Sequence, residues 1–209
     1  MRETLKASAW LAAPLSFIIL MGHSVETEYW NRIEAEQQVV QLKEQNAQLQ
    51  YEHAIMDHQH RRLTEIVNYS TEYQIPADDA AMIYDIALAE GIATDVAFRL
   101  VRLESDFKHR AVSRAGAIGL AQVMPSTANE LTSRHVTLRE LFEPEFNLHL
   151  GFSYLRMLLD EYKGDLRLAL LAYNRGPNRV NGLLAMGEDP ANGYAQFICG
   201  DCGDTGLSE

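Results

Sequence analysis

The sequence predicts an all-α protein, with one helical globular domain behind an apolar N-terminal segment and a long coiled-coil helix. Residues 28–67 contain no glycine or proline and are rich in Gln, Glu, Ala and Leu, which favour helix. Later segments place apolar residues at helical spacing, and none shows the alternation of a half-buried strand. The 209 residues are enough for one ordinary domain with attachments.

The composition is that of a folded protein, and the net charge argues against one class of partner. Hydrophobic residues make up 47% of the chain and charged residues 22%, which is ordinary for a globular protein. The net charge of −11 argues against a nucleic-acid binder, because such proteins need a basic surface. Since there are only two cysteines, no disulfide framework supports the core.

The N-terminus has the pattern of a targeting segment. Two basic residues precede an apolar run over residues 7–22, with Pro14 in its middle. As a helix this run would rise about 24 Å, short of a hydrocarbon core of about 30 Å. Residues 1–24 are therefore predicted to be a secretory signal peptide or a short uncleaved signal anchor. Either one would export the rest of the chain, and an anchor would tether it to the inner membrane.

A coiled coil is predicted for residues 28–67. An apolar residue recurs there at every seventh position, namely Leu42, Leu49, Met56 and Leu63. The other seam column is polar, and its Asn46 favours a defined register, most often that of a parallel dimer. Two interpretations stay open: a homodimer through the coil, or a single solvated helix that holds the next domain away from a membrane.

The sequence after the coil becomes globular. The predicted organisation is a linker over residues 68–75, a domain over residues 76–198 and a tail over residues 199–209. Helices are predicted within the domain at four places: residues 77–90, the stretch after Thr94 as N-cap, residues 146–162, and residues 166–175 after Asp165 as N-cap.

One carboxylate lies on the apolar face of a predicted helix. Ala97, Val101 and Glu104 are spaced i, i+4, i+7 and therefore share a face. Burial disfavours the ionised form of a carboxyl group and raises its pKa, which is what a general acid near neutral pH requires. The alternative is a surface glutamate at a frayed helix end.

Two further stretches have the residue types of a ligand cleft. Gly116 and Gly119 allow a backbone to approach a ligand closely, and Gln122 and Met124 follow them before a proline. An amide and a thioether beside a groove suit a ligand with amide groups and ring surfaces. Tyr173 ends another apolar stripe, where a tyrosine is most often part of the core.

Three motifs in this order resemble the lytic transglycosylase domain of the soluble-lytic-transglycosylase (SLT) type. They are Glu104-Ser105-x-Phe107 with Ser113, then Gly116-Ala117-x-Gly119-Leu120-x-Gln122-x-Met124-Pro125, and then Ala172-Tyr173-Asn174-x-Gly176. The resemblance covers residues 76–198 and implies a lysozyme-like, goose-type α-helical fold. Ala121 is a departure, because the family often has a second methionine there, and we expect this alanine to trim a cleft wall.

The resemblance implies chemistry on the glycan strands of peptidoglycan. Glu104 would protonate the oxygen of the β-1,4 bond between N-acetylmuramic acid and N-acetylglucosamine. The resulting carboxylate would take the proton of the muramoyl 6-hydroxyl, which closes a 1,6-anhydro ring without consuming water. Five further positions match residues that line the sugar cleft or support the glutamate: Ser113, Gln122, Met124, Tyr173 and Asn174. Of these, Tyr173 and Asn174 would hold Glu104 and the developing charge.

A single carboxylate distinguishes this site from an ordinary glycosidase site. Glycosidases use two carboxyl groups, about 5–5.5 Å apart when retaining and about 6.5–9.5 Å apart when inverting. Asp106 lies about 200° around the helix from Glu104 and is poorly placed as a partner. Glu143 and Glu145 stay open as a second acid, although a solvated loop explains them more simply. The competing functions are a hydrolytic muramidase on the same fold and a catalytically slow peptidoglycan-binding or scaffold protein.

Cys199 and Cys202 form a C-x-x-C pair near the C-terminus. In an oxidising compartment a local disulfide is expected, with free thiols, a redox function or a metal site as alternatives. No motif for binding a metal or a phosphate is present, so no metal and no cofactor are expected. The predicted location is the periplasm or cell envelope, and the predicted partner is peptidoglycan rather than nucleic acid.

Overall fold

The computed structural model describes residues 12–200 and residue 202. These residues form nine helices and no strand, which confirms the prediction of an all-α protein. The helices are α1 (Ala12–Tyr73), α2 (Ala77–Ala89), α3 (Thr94–Ser105), α4 (Pro125–Thr132), α5 (Leu138–Leu141), α6 (Pro144–Glu161), α7 (Leu166–Arg175), α8 (Pro177–Ala185) and α9 (Tyr194–Cys199).

Two compact units divide the chain after residue 62. The described part of the first unit is α1, which confirms that the predicted coiled-coil segment is helical. Its heptad residues are exposed, with exposed fractions of 56% for Leu42, 62% for Leu49 and 68% for Met56. Within the described first unit, no other element covers this apolar stripe.

The predicted signal or anchor segment over residues 1–24 is only partly described. Residues 1–11 lie outside the described residues, and the residues from Ala12 on belong to α1. Along the part of the chain that the structure describes, no helix has the length and apolar character that a membrane crossing requires.

Residues 68–73 of the predicted linker are helical, because α1 continues through Tyr73. Residues 63–73 belong to the second unit, where Ile66 is buried and Tyr69 stacks on Phe98 with ring centroids 4.0 Å apart. Most helical stability in proteins comes from packing one face against a core. These contacts supply that packing. Sequence analysis did not predict them, because the neighbouring residues are polar.

Thr94 is the first residue of α3 and not its N-cap, a position that Ala93 occupies. The hydroxyl of Thr94 lies 3.0 Å from the hydroxyl of Tyr69 and shares a hydrogen bond with it. The predicted cap is wrong because a tertiary partner takes the side chain that would have capped the helix.

The second unit packs its helices around α6. Four helices contact α6, namely α2, α4, α5 and α7, and α7 also packs against α8 and α9. Leu148, Leu155 and Leu158 of α6 are fully buried, so this helix has the amphipathic character that was predicted for it. The predicted span and cap of α7 are confirmed, since Oδ1 of Asp165 accepts a hydrogen bond from the backbone nitrogen of Leu168 at 2.9 Å.

Candidate active site

Glu104 lies in the last turn of α3, on the face that packs into the second unit. Ala97 and Val101 are fully buried, which confirms the predicted apolar face. The helix ends at Asp106, which has a left-handed backbone with φ of 51°. Glu104 itself is partly buried, and one of its carboxyl oxygens accepts a hydrogen bond from the hydroxyl of Tyr194.

The surroundings of Glu104 favour its protonated form. Burial raises the pKa of Glu104 above its ordinary value, and the hydrogen bond from Tyr194 partly offsets that rise. The carboxyl group therefore keeps its proton to a higher pH than an exposed glutamate does. Burial and the charge of Glu104 raise the pKa of Tyr194 well above its ordinary value, so the tyrosine remains a hydrogen-bond donor. A carboxylic acid held in this state can serve as a general acid.

Tyr194 is the site residue that sequence reasoning missed. It is the first residue of α9, a six-residue helix that contacts α3 and α7. The preceding Gly193 has φ of 83°, a left-handed conformation that lets the chain turn into the helix. The sequence offered one signal for this residue, namely a tyrosine that follows a glycine at the start of a short apolar stretch. Because 90 positions separate it from Glu104, only the fold joins the two residues.

Tyr173 lies beside Glu104 but, contrary to expectation, does not hold it through a hydrogen bond. Its hydroxyl donates to the backbone oxygen of Ala121 at 2.7 Å. Burial and the nearby charge of Glu104 raise the pKa of Tyr173 well above its ordinary value. Tyr173 therefore ties α7 to the loop before α4, and Tyr194 makes the contact that was expected from Tyr173.

Asn174 forms no hydrogen bond with Glu104 among the described residues. Its side-chain oxygen accepts a hydrogen bond from Nδ2 of Asn192 at 2.9 Å. Asn192 in turn accepts a hydrogen bond from the backbone nitrogen of Tyr194 at 3.2 Å. Asn174 therefore supports the turn into α9, the helix that begins with Tyr194. It is also exposed, so a ligand can reach it.

The Gly-rich loop between α3 and α4 is organised by Asn147, a fully buried residue of α6. Its side chain accepts a hydrogen bond from the nitrogen of Ala121 at 2.8 Å, and donates to the oxygens of Ile118 at 2.8 Å and Leu141 at 3.0 Å. Gly119 has φ of 81°, and a Cβ at that position would overlap the side chain of Asn147. Sequence reasoning missed Asn147, although it is a polar residue on the apolar face predicted for α6.

Ala121 is fully buried, so the expectation that it trims a cleft wall was wrong. Its Cβ faces Gly151 of α6, where an added Cβ would collide with Ala121 and with the hydroxyl of Tyr173. Small residues at these two positions let the loop and α6 approach closely. This close approach places the carbonyl of Ala121 within reach of Tyr173.

The remaining predicted cleft residues lie on or next to this loop. Ser113 is exposed, and its hydroxyl oxygen accepts a hydrogen bond from the backbone N–H four residues later at 3.0 Å. Gln122 donates its side-chain N–H groups to the backbone oxygens of Ala111 at 3.3 Å and Gly119 at 2.9 Å. Its side-chain oxygen has no hydrogen-bond partner among the described residues. Met124 immediately precedes α4 and is 36% exposed, so the loop presents an amide oxygen, a hydroxyl and a thioether to solvent.

No second carboxyl group forms a hydrogen bond with Glu104 within the described part of the chain. Asp106 is exposed and pairs with Lys108 at 3.2 Å. Glu143 and Glu145 are exposed at the start of α6. The site therefore presents one carboxyl group accompanied by two tyrosines.

Cys199 and Cys202 form a disulfide directly after α9, which is the outcome expected for an oxidising compartment. Residue 201 and residues 203–209 of the predicted tail lie outside the described residues. In the region that the structure describes, no three His, Cys, Asp or Glu side chains are grouped to hold a metal ion.

Comparisons with known proteins point to one family. The family model described as "Transglycosylase SLT domain" matches residues 81–190. A transglycosylase of Enterobacteria phage PRD1 is 40% identical over 82 residues, which is 39% of this chain and 29% of that protein. The membrane-bound lytic murein transglycosylase C of Haemophilus ducreyi is 34% identical over 116 residues, which covers 47% of this chain and 30% of that protein.

A solved structure with the same fold is also similar in sequence. It is the X-ray structure of an inactive glutamate-to-glutamine mutant of the lytic transglycosylase Slt from Pseudomonas aeruginosa. The TM-score is 0.50 and the identity is 30%, over 56% of this chain and 22% of that one. The chain thus spans less than a third of the length of these relatives.

Proposed function

Because the chain belongs to the transglycosylase SLT domain family, we propose that it is a peptidoglycan lytic transglycosylase. The proposed substrate bond is the β-1,4 bond between N-acetylmuramic acid and N-acetylglucosamine. The proposed product ends in 1,6-anhydro-N-acetylmuramic acid. The names of the relatives support the substrate class, since one of them is a lytic murein transglycosylase.

The observation that carries this proposal is the environment of Glu104. Its carboxyl group lies at the end of a buried helical face, receives a hydrogen bond from Tyr194 and has a raised pKa. An acid of this kind can deliver a proton to a glycosidic oxygen. The inactive mutant of the Pseudomonas aeruginosa relative carries glutamine in place of a glutamate, which is the substitution that removes such an acid.

The reaction proposed for Glu104 has two proton transfers. The protonated carboxyl group first donates its proton to the oxygen that leaves C1 of the muramoyl residue, and the C1–O bond breaks. The carboxylate then takes the proton of the 6-hydroxyl of the same sugar, whose oxygen forms a new bond to C1. Glu104 ends the cycle protonated, and Tyr194 donates a hydrogen bond to the carboxylate that exists between the two steps.

The single carboxyl group favours this route over hydrolysis. Most hydrolytic glycosidases use a second carboxyl group, either as a nucleophile or as a base that activates water. No other carboxyl group of the described residues forms a hydrogen bond with Glu104, and the three sequence motifs supply no second acid. A hydroxyl of the substrate itself takes the role of the second group in the proposed route.

The loop between α3 and α4 would bind the sugar rings. The free side-chain oxygen of Gln122 can accept a hydrogen bond from the N–H of an N-acetyl group. Met124 offers apolar surface to a ring face, and Ser113 can donate its hydroxyl proton. These three residues, with Tyr173 and Asn174 nearby on α7, stay predictions for substrate binding.

The first unit would determine where the catalytic domain works. We propose that the protein is exported to the periplasm or cell envelope, and that α1 acts as a stalk between the envelope and the domain. The name of the membrane-bound relative supports a tether at the membrane. The exposed heptad stripe of Leu42, Leu49 and Met56 supports a homodimer through this helix.

The proposal is tested by digesting purified peptidoglycan with the full chain and measuring the masses of the products. The matched variants are Glu104→Gln and Glu145→Gln, the second of which changes an exposed glutamate. We expect the wild-type chain and Glu145→Gln to release products with 1,6-anhydro ends. The Glu104→Gln chain should be slower by about 10²- to 10⁴-fold, because it lacks the acid.

Two other results would contradict the proposal. Products heavier by one water molecule, with a reducing end, would identify a hydrolytic muramidase. Binding to peptidoglycan without any release of products would identify a binding or scaffold protein.

A further inference from the structure

The short helix α9 determines where Tyr194 meets Glu104. Tyr194 is the first of its six residues, so any shift of α9 moves the hydroxyl that donates to the carboxyl group. Isolated helices shorter than about 12–15 residues are marginal in water, so α9 depends on outside contacts to stay in place. Ala195 and Ile198 anchor one side of it in the core.

The other side of α9 has little packing. Within the described residues, a cavity of about 430 Å³ is lined by Ala195 and Gln196 of α9 together with Cys202 and neighbouring residues. Side-chain packing alone therefore does not hold this helix from every direction. The core contacts hold one face of α9, and polar and covalent links add to them at its ends.

The first link comes from α3, the helix that carries Glu104. Nη1 of Arg99 donates a hydrogen bond to the backbone oxygen of Ile198 at 3.1 Å. The last carbonyl groups of a helix lack partners within the helix, and a cation at that end is favourable. Helix α3 thus holds α9 at both ends, through Glu104 and Tyr194 at one end and through Arg99 at the other.

The second link is the disulfide between Cys199 and Cys202. Cys199 is the last residue of α9, and the chain leaves the helix through Gly200, whose φ of 64° lets it turn back. The sulfur atoms lie 3.0 Å and 3.9 Å from the backbone oxygen of Ala195, one turn earlier in the helix. The bridge therefore closes the chain against the last turn of α9.

We propose that Arg99 and the disulfide between Cys199 and Cys202 act together as a clamp that positions Tyr194 against Glu104, and that the clamp depends on redox state. This inference rests on the proposed function. A dithiol reductant would transfer two electrons and two protons to the disulfide, which yields two thiols and a cyclic disulfide of the reductant. Arg99 and the core contacts then remain as the links to α9, and Tyr194 holds the carboxyl group less firmly. Arg99, Cys199 and Cys202 are positioning residues, since none of them contacts Glu104.

The test uses the full chain and measures kcat and KM for the release of 1,6-anhydro products. The samples are the wild-type chain before and after reduction with dithiothreitol, and the double variant Cys199→Ser/Cys202→Ser. Loss of one hydrogen bond to a charged group weakens catalysis by about tenfold or more. We expect kcat to fall about tenfold in the reduced and double-variant chains, with KM within about twofold of the wild-type value.

The same comparison in a Tyr194→Phe background distinguishes positioning from general stability. If the clamp acts through Tyr194, removing the disulfide from the Tyr194→Phe chain should change kcat by less than about twofold. A purely structural role of the disulfide would lower kcat equally in both backgrounds, and that result would overturn the proposal.

Arg99→Gln provides an independent route if the cysteine variants fold poorly. It should lower kcat in the oxidised chain, whereas Arg156→Gln, which removes an exposed arginine paired with Asp160, should not. A wild-type chain that releases no anhydro products would overturn the proposed function. A wild-type chain that releases them at the same rate before and after reduction, and in the Arg99→Gln variant, would overturn the clamp alone.

Discussion

The described parts of the two compact units both carry an apolar stripe along a helix, but only in the second unit are these apolar residues buried. In the first unit Leu49 and Met56 are exposed, whereas in the second unit Leu155 and Leu158 of α6 are fully buried. In both regions apolar residues recur at helical spacing along the sequence. The difference shows that a pattern predicts which face of a helix is apolar, and that the fold decides whether this face becomes a core.

Burial is also what gives one region its chemistry. Glu52 in the first unit and Glu104 in the second both lie on helices, but only Glu104 lies among buried side chains. Because desolvation raises a carboxyl pKa, its burial suits Glu104 to act as an acid. Paired substitutions in the two units test whether burial causes this difference.

The largest effect on stability is expected from leucine truncation. Leu155→Ala should lower the free energy of unfolding by about 2–5 kcal/mol, because it leaves a cavity in a fully buried site. Leu49→Ala should change it by no more than about 0.5 kcal/mol at low protein concentration. Urea unfolding of both variants, followed by circular dichroism, measures this difference. A Leu49→Ala effect that grows with protein concentration would show that the stripe is covered in a dimer.

A smaller effect on the free energy of unfolding is expected when Asn147 and Asn46 are each replaced by alanine. Asn147→Ala should cost about 1–3 kcal/mol of unfolding free energy, because it leaves buried backbone groups of the Gly-rich loop without partners. Asn46→Ala changes an exposed residue of α1 and should cost no more than about 0.5 kcal/mol. Equal costs in thermal unfolding would contradict the role assigned to Asn147.

Tyr194→Phe should change the pH dependence of product release. The hydrogen bond from Tyr194 lowers the pKa of Glu104, so its removal at unchanged burial should raise that pKa further. Since the protonated carboxyl group is the acid, the basic limb of the kcat/KM profile should move to higher pH, while the rate falls by about tenfold. Tyr51→Phe on α1, at a site that is 64% exposed, should leave the profile unchanged. A limb that stays in place in Tyr194→Phe would show that Glu104 is not the group observed.

The smallest expected effect is on how the folding stability depends on pH. The folded-state pKa of Glu104 is raised above the ordinary 4.5, so its contribution to stability is complete below pH 4.5 and is lost as the pH rises through the folded-state value. Glu104→Gln removes this loss and should be more stable than the wild-type chain at neutral pH but not at pH 4. Glu52→Gln, which changes an exposed residue of α1, is the matched control for the charge removed. Melting temperatures at the two pH values give the comparison, and a neutral-pH loss in Glu104→Gln would contradict the assignment.

The all-α class, most of the helices and the face on which Glu104 lies could be predicted from the sequence alone. These features follow from local rules, because helical periodicity and capping involve residues a few positions apart. The span of α7 with its cap at Asp165 was predicted correctly for this reason. The motif resemblance also identified the family that residues 81–190 match.

Only the tertiary structure decided which groups meet. Tyr194 lies 90 positions from Glu104, and Asn147 lies 26 positions from the backbone nitrogen that it holds, so no local pattern connects them. The helical state of residues 68–73 likewise depended on packing against Phe98. Burial, and with it the pKa of a carboxyl group, is a property of everything that packs around a residue, which is why it emerged only from the folded chain.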